Sequence, residues 1–201
     1  MGFWFGSWYI RWVTARTHDL AAMTMLVWVV ANGQAPSLSL ATGIVAVMAN
    51  ILGALTPDLD EPTARLWNDM PAGSIVGRII HPLLGGHRMI THSILGMLAI
   101  GWGLKFLLTN YVSRVLLVDM NVVWGAFMLG FLSHLIVDTI TKEGVPWLFP
   151  IPWRLGFPPF KALRVTTGEW AEKALVFPGL LVLNGYLIYQ NYGEFLKLVG
   201  K

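Results

Sequence analysis

From Leu20 to Pro57 the chain runs for 38 residues without an Asp, Glu, Lys, Arg or His. One helical crossing of a bilayer needs about 20 apolar residues, so this run predicts two short spans. Between them, Asn32-Gly33-Gln34-Ala35-Pro36-Ser37 has the composition of a turn. A third apolar run extends from Ser93 to about Leu108, with Lys105 close enough to its end to snorkel. A fourth runs from about Leu116 to Ile140 and a fifth from about Ala174 to Tyr189, and Asp119 reads as interfacial. The pattern predicts an all-α, polytopic transmembrane helical bundle of about five spans, or four if the first pair is a re-entrant hairpin. Residues 1–201 read as one membrane-embedded domain. Within it, residues 145–160 gather Pro146, Pro150, Pro152, Pro158 and Pro159 with Trp147, Phe149, Trp153 and Phe157. That composition predicts an irregular loop along the interface, placed to roof a site.

Composition strengthens the membrane reading. Hydrophobic residues make up 55% of the chain and charged residues 12%, where soluble domains carry roughly 25% charged. Mean hydropathy is +0.60. A soluble domain of 201 residues has too little interior to hide so much apolar surface. The N-terminal Met-Gly-Phe-Trp-Phe-Gly-Ser-Trp-Tyr-Ile lacks the basic stretch and cleavage site of a signal peptide, and its aromatics suit an interfacial anchor. If the N-terminus is cytoplasmic, that side carries Arg11, Arg16, Arg65, Arg78, Arg88, Lys142, Arg154, Lys161, Arg164 and Lys173. The other side then holds Lys105, Arg114, Lys197 and Lys201. The excess of basic residues predicts this orientation. Anionic headgroups of membrane lipids account for the net charge of +3, and no basic run interleaved with aromatics calls for nucleic acid. There is no cysteine, so any metal must be held by nitrogen and oxygen.

The titratable residues fall at span ends, and the predicted topology carries them to one face. His18 and Asp19 precede the first span, Asp58 and Asp60 follow the second, His87 and His92 precede the third, and His134 and Asp138 close the fourth. His134 and Asp138, four apart on a helix, share one face and can converge on one ion. Asp58 and Asp60 point the same way if the chain there is extended. Arg88 has the geometry to neutralise a carboxylate or clamp an anionic group. His81, ahead of Pro82 in a glycine-rich stretch read as a loop, reads as structural.

The order Pro57-Asp58-Leu59-Asp60, Gly86-His87-Arg88-x-x-Thr91-His92-Ser93 and Ser133-His134-x-x-x-Asp138-x-x-Thr141-x-x-Gly144-Val145-Pro146 resembles the YdjM-like family. Its members are described as inner-membrane, metal-dependent hydrolases of the LexA-regulated or LexA-binding type. The resemblance covers His18 to Glu172 and implies a bacterial inner-membrane protein. It carries over Asp58, Asp60, His87, Arg88, Thr91, His92, His134 and Asp138, with His18 matching an early histidine. Thr167-Gly168 with Glu172 is similar to a late family element in which Glu169 here replaces a serine. Met89 stands where the family commonly has glycine, and Lys142-Glu143 where it often has Pro-Ala.

His18, Asp58, Asp60, His87, His92, His134 and Asp138 are too many ligands for one catalytic zinc and fit two ions, or one ion with a supporting shell. Such donors suit zinc, with manganese or iron as further choices. The resulting expectation is hydrolysis of a phosphoester, lipid or lipid-linked, by metal-activated water. Asp58 or Asp60 would bridge or act as base, Arg88 would hold phosphate, and Thr91, Ser93 and Glu172 would support the ligands. The competing expectations are a metal or proton transporter, which would place its ligands near the mid-bilayer, and a regulator or scaffold with a closed structural site.

Overall fold

The computed structural model describes residues 3–64, 67–68, 70–83 and 88–198, with side chains described from residue 16 onward except at residue 83. Among these residues the chain is all-helical, with seven α-helices and no strand. They are α1 (Phe3–Ala31), α2 (Leu40–Leu55), α3 (Gly73–Leu83), α4 (Ile94–Asn110), α5 (Met120–Ile140), α6 (Phe177–Gln190) and α7 (Tyr192–Leu198). Two segments, Ile94–Arg114 and Met120–Ile140, are long and apolar enough to cross a membrane, while α2 is apolar but shorter. The polar hairpin turns at Gly33, whose φ of 66° lies in the left-handed region. Ser39 then caps α2 by accepting from the Thr42 N–H. Asp119 caps α5 in the same manner, accepting from Asn121 and Val122 N–H. That places its charge at a helix start, outside the apolar run.

α1 begins at Phe3 rather than near Leu20. No proline interrupts residues 3–31, so the helix continues through the aromatic segment and past Arg11 and Arg16. The stretch read as a glycine-rich loop is a second correction. Residues 73–83 are helical, and His81 lies in the last turn of α3. The glycines that masked the helix serve packing: a Cβ on Gly73 would stand 2.1 Å from the Trp67 carbonyl oxygen, and one on Gly77 2.9 Å from Trp67 Cδ1. His81 Nδ1 donates to the Asp60 carbonyl, so α3 is pinned to the 3₁₀ turn Pro57–Asp60.

α5 is the central element, packed against α1, α2 and α4. Phe127, Phe131 and Leu135 on its inner side join Ala49, Leu108, Val123 and Val145 in the core. Asn50 of α2 is fully buried and donates to the Ala126 carbonyl of α5. The outward faces are apolar: Leu95, Leu98, Trp102 and Phe106 on α4, and Leu181, Val182 and Tyr186 on α6, are exposed. A surface of this kind belongs against lipid hydrocarbon.

Residues 145–160 are irregular, joined to each other by a Val145–Leu155 bridge. Trp147 turns inward, its Nε1–H donating to Thr139 and its carbonyl accepting from Ile94 N–H. Trp153, Phe157 and Phe160 stay exposed. A five-residue π-helical turn, Glu172–Val176, leads into α6.

Candidate metal centre

The last carbonyls of a helix lack intrahelical partners. At the end of α2, the Ala54 carbonyl takes its hydrogen bond from His134 Nδ1 on α5, at 2.6 Å. This bond fixes the tautomer and turns Nε2 the other way. There it faces Asp58 Oδ1 at 3.6 Å and Asp138 Oδ2 at 3.7 Å. His134 Nε2 is buried and makes no hydrogen bond. In a neutral imidazole held this way, Nε2 presents a lone pair, and here the lone pair points at two carboxylates.

Three other segments close on the same point. α1 supplies His18, whose ring stacks on His134 with centroids 4.0 Å apart and whose Nε2 lies 3.6 Å from Asp138 Oδ1. The 3₁₀ turn after α2 supplies Asp58, half-buried at the edge of the cluster. The turn before α4 supplies His92, with Nε2 3.4 Å from Asp138 Oδ2 and 3.9 Å from Asp58 Oδ1. Donor atoms on one tetrahedral ion with bonds near 2.0–2.1 Å stand about 3.4 Å apart. The observed separations match that spacing, and they exceed the usual N–H···O distance. His18, His134 and Asp138 form one group able to hold an ion, and Asp58, His92 and His134 form another.

Asp60 stands behind these donors. It is fully buried, accepts from the Arg88 backbone N–H at 2.8 Å and from the Thr91 hydroxyl, and lies 3.4 Å from His92 Nδ1. Arg88 has a φ of 57°, a conformation that costs a non-glycine residue energy. The bond to Asp60 holds it there. The Arg88 side chain then crosses to Asp138 Oδ2 at 2.8 Å, with its other amino group near Thr141 Oγ1 and Glu143 Oε2, at 3.3 and 3.4 Å. Burial disfavours the His92 imidazolium, but the Asp138 and Asp60 carboxylates beside it outweigh burial and raise the His92 pKa above its ordinary value.

The structure therefore brings together His18, Asp58, His92, His134 and Asp138, with Asp60, Arg88 and Thr91 in contact around them. Ser93 is engaged elsewhere, donating to Ile90 O and capping α4 through Gly96 N–H. Glu172 is buried and accepts from Gly168 N–H at 2.6 Å, closing the turn at residues 167–168. His87 lies outside the described residues. Sequence reading did not single out Thr141 and Glu143 as site residues. Thr141 sits three positions beyond Asp138, a spacing that hints at shared location, whereas nothing in the sequence signals Glu143.

Because Asp60 holds the segment that carries His92, Asp60→Ala is expected to weaken metal binding by about 10–100-fold without abolishing it. Competition against a chromogenic zinc chelator measures this, and unchanged affinity would remove Asp60 from any supporting role.

A helical bundle with an apolar outer surface and a buried His/Asp cluster at one end defines a helical membrane protein with a candidate metal centre. The chain matches the family described as YdjM inner membrane protein over residues 13–194, and it belongs to that family. It is 31% identical over 149 residues to the Bacillus subtilis protein named uncharacterized protein YvsG, covering 74% of this chain and 81% of that one. It is also 31% identical over 150 residues to the inner membrane protein YdjM of Escherichia coli, covering 73% of this chain and 70% of that protein. The Shigella flexneri inner membrane protein YdjM matches to the same extent. No solved structure matches the chain.

Proposed function

We propose that this protein is a metal-dependent phosphoester hydrolase of the bacterial inner membrane, acting on a lipid or lipid-linked phosphate at the cytoplasmic face. The observation that carries the reading is His134 Nε2, a buried nitrogen without a hydrogen bond, facing two carboxylate oxygens at 3.6 and 3.7 Å. Lone pairs so arranged repel unless a cation lies between them. Charge supports the same conclusion. Asp58, Asp60 and Asp138 all face the histidine cluster, with the Arg88 guanidinium paired to Asp138, and a divalent ion would complement the gathered carboxylates.

His134 has one nitrogen to offer, since the other is bound to Ala54, so it serves a single ion. A second ion would be held through Asp138, whose Oδ1 faces His18 and whose Oδ2 faces His92 and His134. The donors suit zinc first, with manganese or iron also compatible. A bound ion would supply Lewis-acid activation of water and stabilise charge on the phosphoester oxygens. Asp58, 37% exposed in its side chain, is the carboxylate placed to take the proton from an attacking water. Arg88 and Asp60 position Asp138 and His92. The exposure of Asp58 favours an open site over the closed coordination of a scaffold. Ligands at helix ends favour a hydrolase over a transporter, whose ligands lie near the mid-bilayer. The multi-pass reading, with about five spans and a cytoplasmic N-terminus, is supported by the apolar outer faces of α4 and α6 and by the distribution of basic residues.

The test is metal content by mass spectrometry on protein purified in detergent without chelator. Wild type is expected to carry about one or two equivalents, His134→Ala to fall to background, and the loaded wild type to cleave alkyl phosphate esters. Wild-type protein that neither carries nor takes up metal would overturn the reading.

A further inference from the structure

An apolar cavity of about 230 Å³ lies between α1, α5 and the start of α6, and His18 forms part of its wall. Its hydrocarbon surface comes from Ala21 and Met25 on α1, Val137 and Ile140 on α5, Val176 at the end of the π-helical turn and Leu180 on α6. Three of the hydroxyls along it are engaged elsewhere. Thr24 donates to Leu20 O, Ser133 to Gly130 O and Thr141 to Asp138 O. Interiors are packed to crystal density, so a space of this size invites an occupant. It is half as large again as the ~150 Å³ apolar cavity known to stay dry and bind benzene. From His18 to Met25 it follows α1 for roughly 10 Å at the helical rise. Ile140, one of its walls, is 40% exposed on the apolar outer surface.

His18 joins the cavity to the metal centre. Its Nε2 faces Asp138, and its Nδ1 is buried with no hydrogen bond. A metal-ligating histidine almost always donates its other N–H. His134 does so to Ala54, whereas among the described residues His18 Nδ1 has no acceptor. A ligand bound beside it can supply the acceptor.

We infer that the cavity is the chain subsite of a lipid phosphate, taking the proximal part of one alkyl chain while His18 Nδ1–H holds an oxygen of its headgroup. This rests on the hydrolase reading for the placement of the phosphate, and it adds the class of substrate: a single-chain or prenyl-type phosphate whose chain enters from the bilayer side.

The test uses a non-hydrolysable dodecyl phosphonate carrying a diazirine on the proximal chain, added to wild-type protein in lipid nanodiscs. Photolabel is expected on peptides containing Met25, Val137 or Val176, competed by dodecyl phosphate and not by inorganic phosphate. Val137→Trp and Ala21→Phe, which fill the space, should each cut that labelling by at least about tenfold, with metal content as the check on folding. Labelling undiminished in a metal-retaining variant overturns the subsite, as does label confined to the outer face of α4. Cavity labelling in wild type that holds no metal supports the subsite and overturns the hydrolase reading.

Discussion

Asp138→Asn is expected to leave the protein without bound metal and to destabilise it as well. The carboxylate lies at the centre of the cluster, within 3.4–3.7 Å of nitrogens on His18, His92 and His134. An amide keeps the shape and loses the charge, and a divalent ion surrounded by imidazoles loses an anionic ligand. Stability falls for a different reason. Arg88 is 7% exposed, and its closest carboxylate is Asp138 at 2.8 Å. Removing one partner of a buried ion pair costs about 3–5 kcal/mol, with Glu143 at 3.4 Å pulling the value toward the lower end. Metal content and thermal unfolding in chelator measure the two effects separately. The double variant Asp138→Asn with Arg88→Met removes both charges, so it should recover much of the stability and none of the metal. A single variant that binds metal at wild-type stoichiometry would exclude Asp138 as a ligand.

Gly130→Ala and Gly53→Ala are expected to damage the site from a distance. A Cβ on Gly130 would stand 1.9 Å from the Asn50 carbonyl oxygen, and one on Gly53 would stand 2.0 Å from the Phe127 carbonyl oxygen. Both obstacles are backbone, so neither can swing aside and α2 must separate from α5. Small residues at such a crossing let helices in a membrane pack by close backbone approach. Separation stretches the His134–Ala54 bond and carries Asp58, just past the end of α2, away from the histidines. Each substitution should cost about 3 kcal/mol, at the upper end of overpacking, and lower metal affinity in parallel. Gly43→Ala and Gly125→Ala, on the same two helices, meet nothing within 4 Å and should change stability by less than about 1 kcal/mol. Thermal melts of the four variants in one detergent give the comparison. Equal melting temperatures would show that the crossing tolerates a methyl group.

The elements that could be read from sequence were those with a local signal. Apolar runs marked α2, α4 and α5, and the turn at residues 32–37 followed from residue type. The convergence of His18, Asp58, His92, His134 and Asp138 was legible because each lies at or near the end of an apolar run, and alternating helix directions bring such ends to one face. α3 was not legible: Gly73 and Gly77 lower helix propensity, and only their contact with Trp67 repays it. The long α1 was missed because polar residues within an apolar helix resemble a boundary when its packing is unknown.

The division of labour inside the site was decided by tertiary structure. By spacing alone, Asp58 and Asp60 are equivalent, and Arg88 can face either a substrate or a carboxylate. In the fold, the 3₁₀ turn sends Asp58 toward His134 and Asp60 toward the Arg88 backbone, while the Arg88 side chain pairs with Asp138. Sequence thus determined the membrane class, most of the helices and which residues could gather at one end. Which of them meet, which stand behind, and the apolar cavity beside His18 depend on helix crossings and backbone hydrogen bonds between residues tens of positions apart, for which a linear pattern carries no signal.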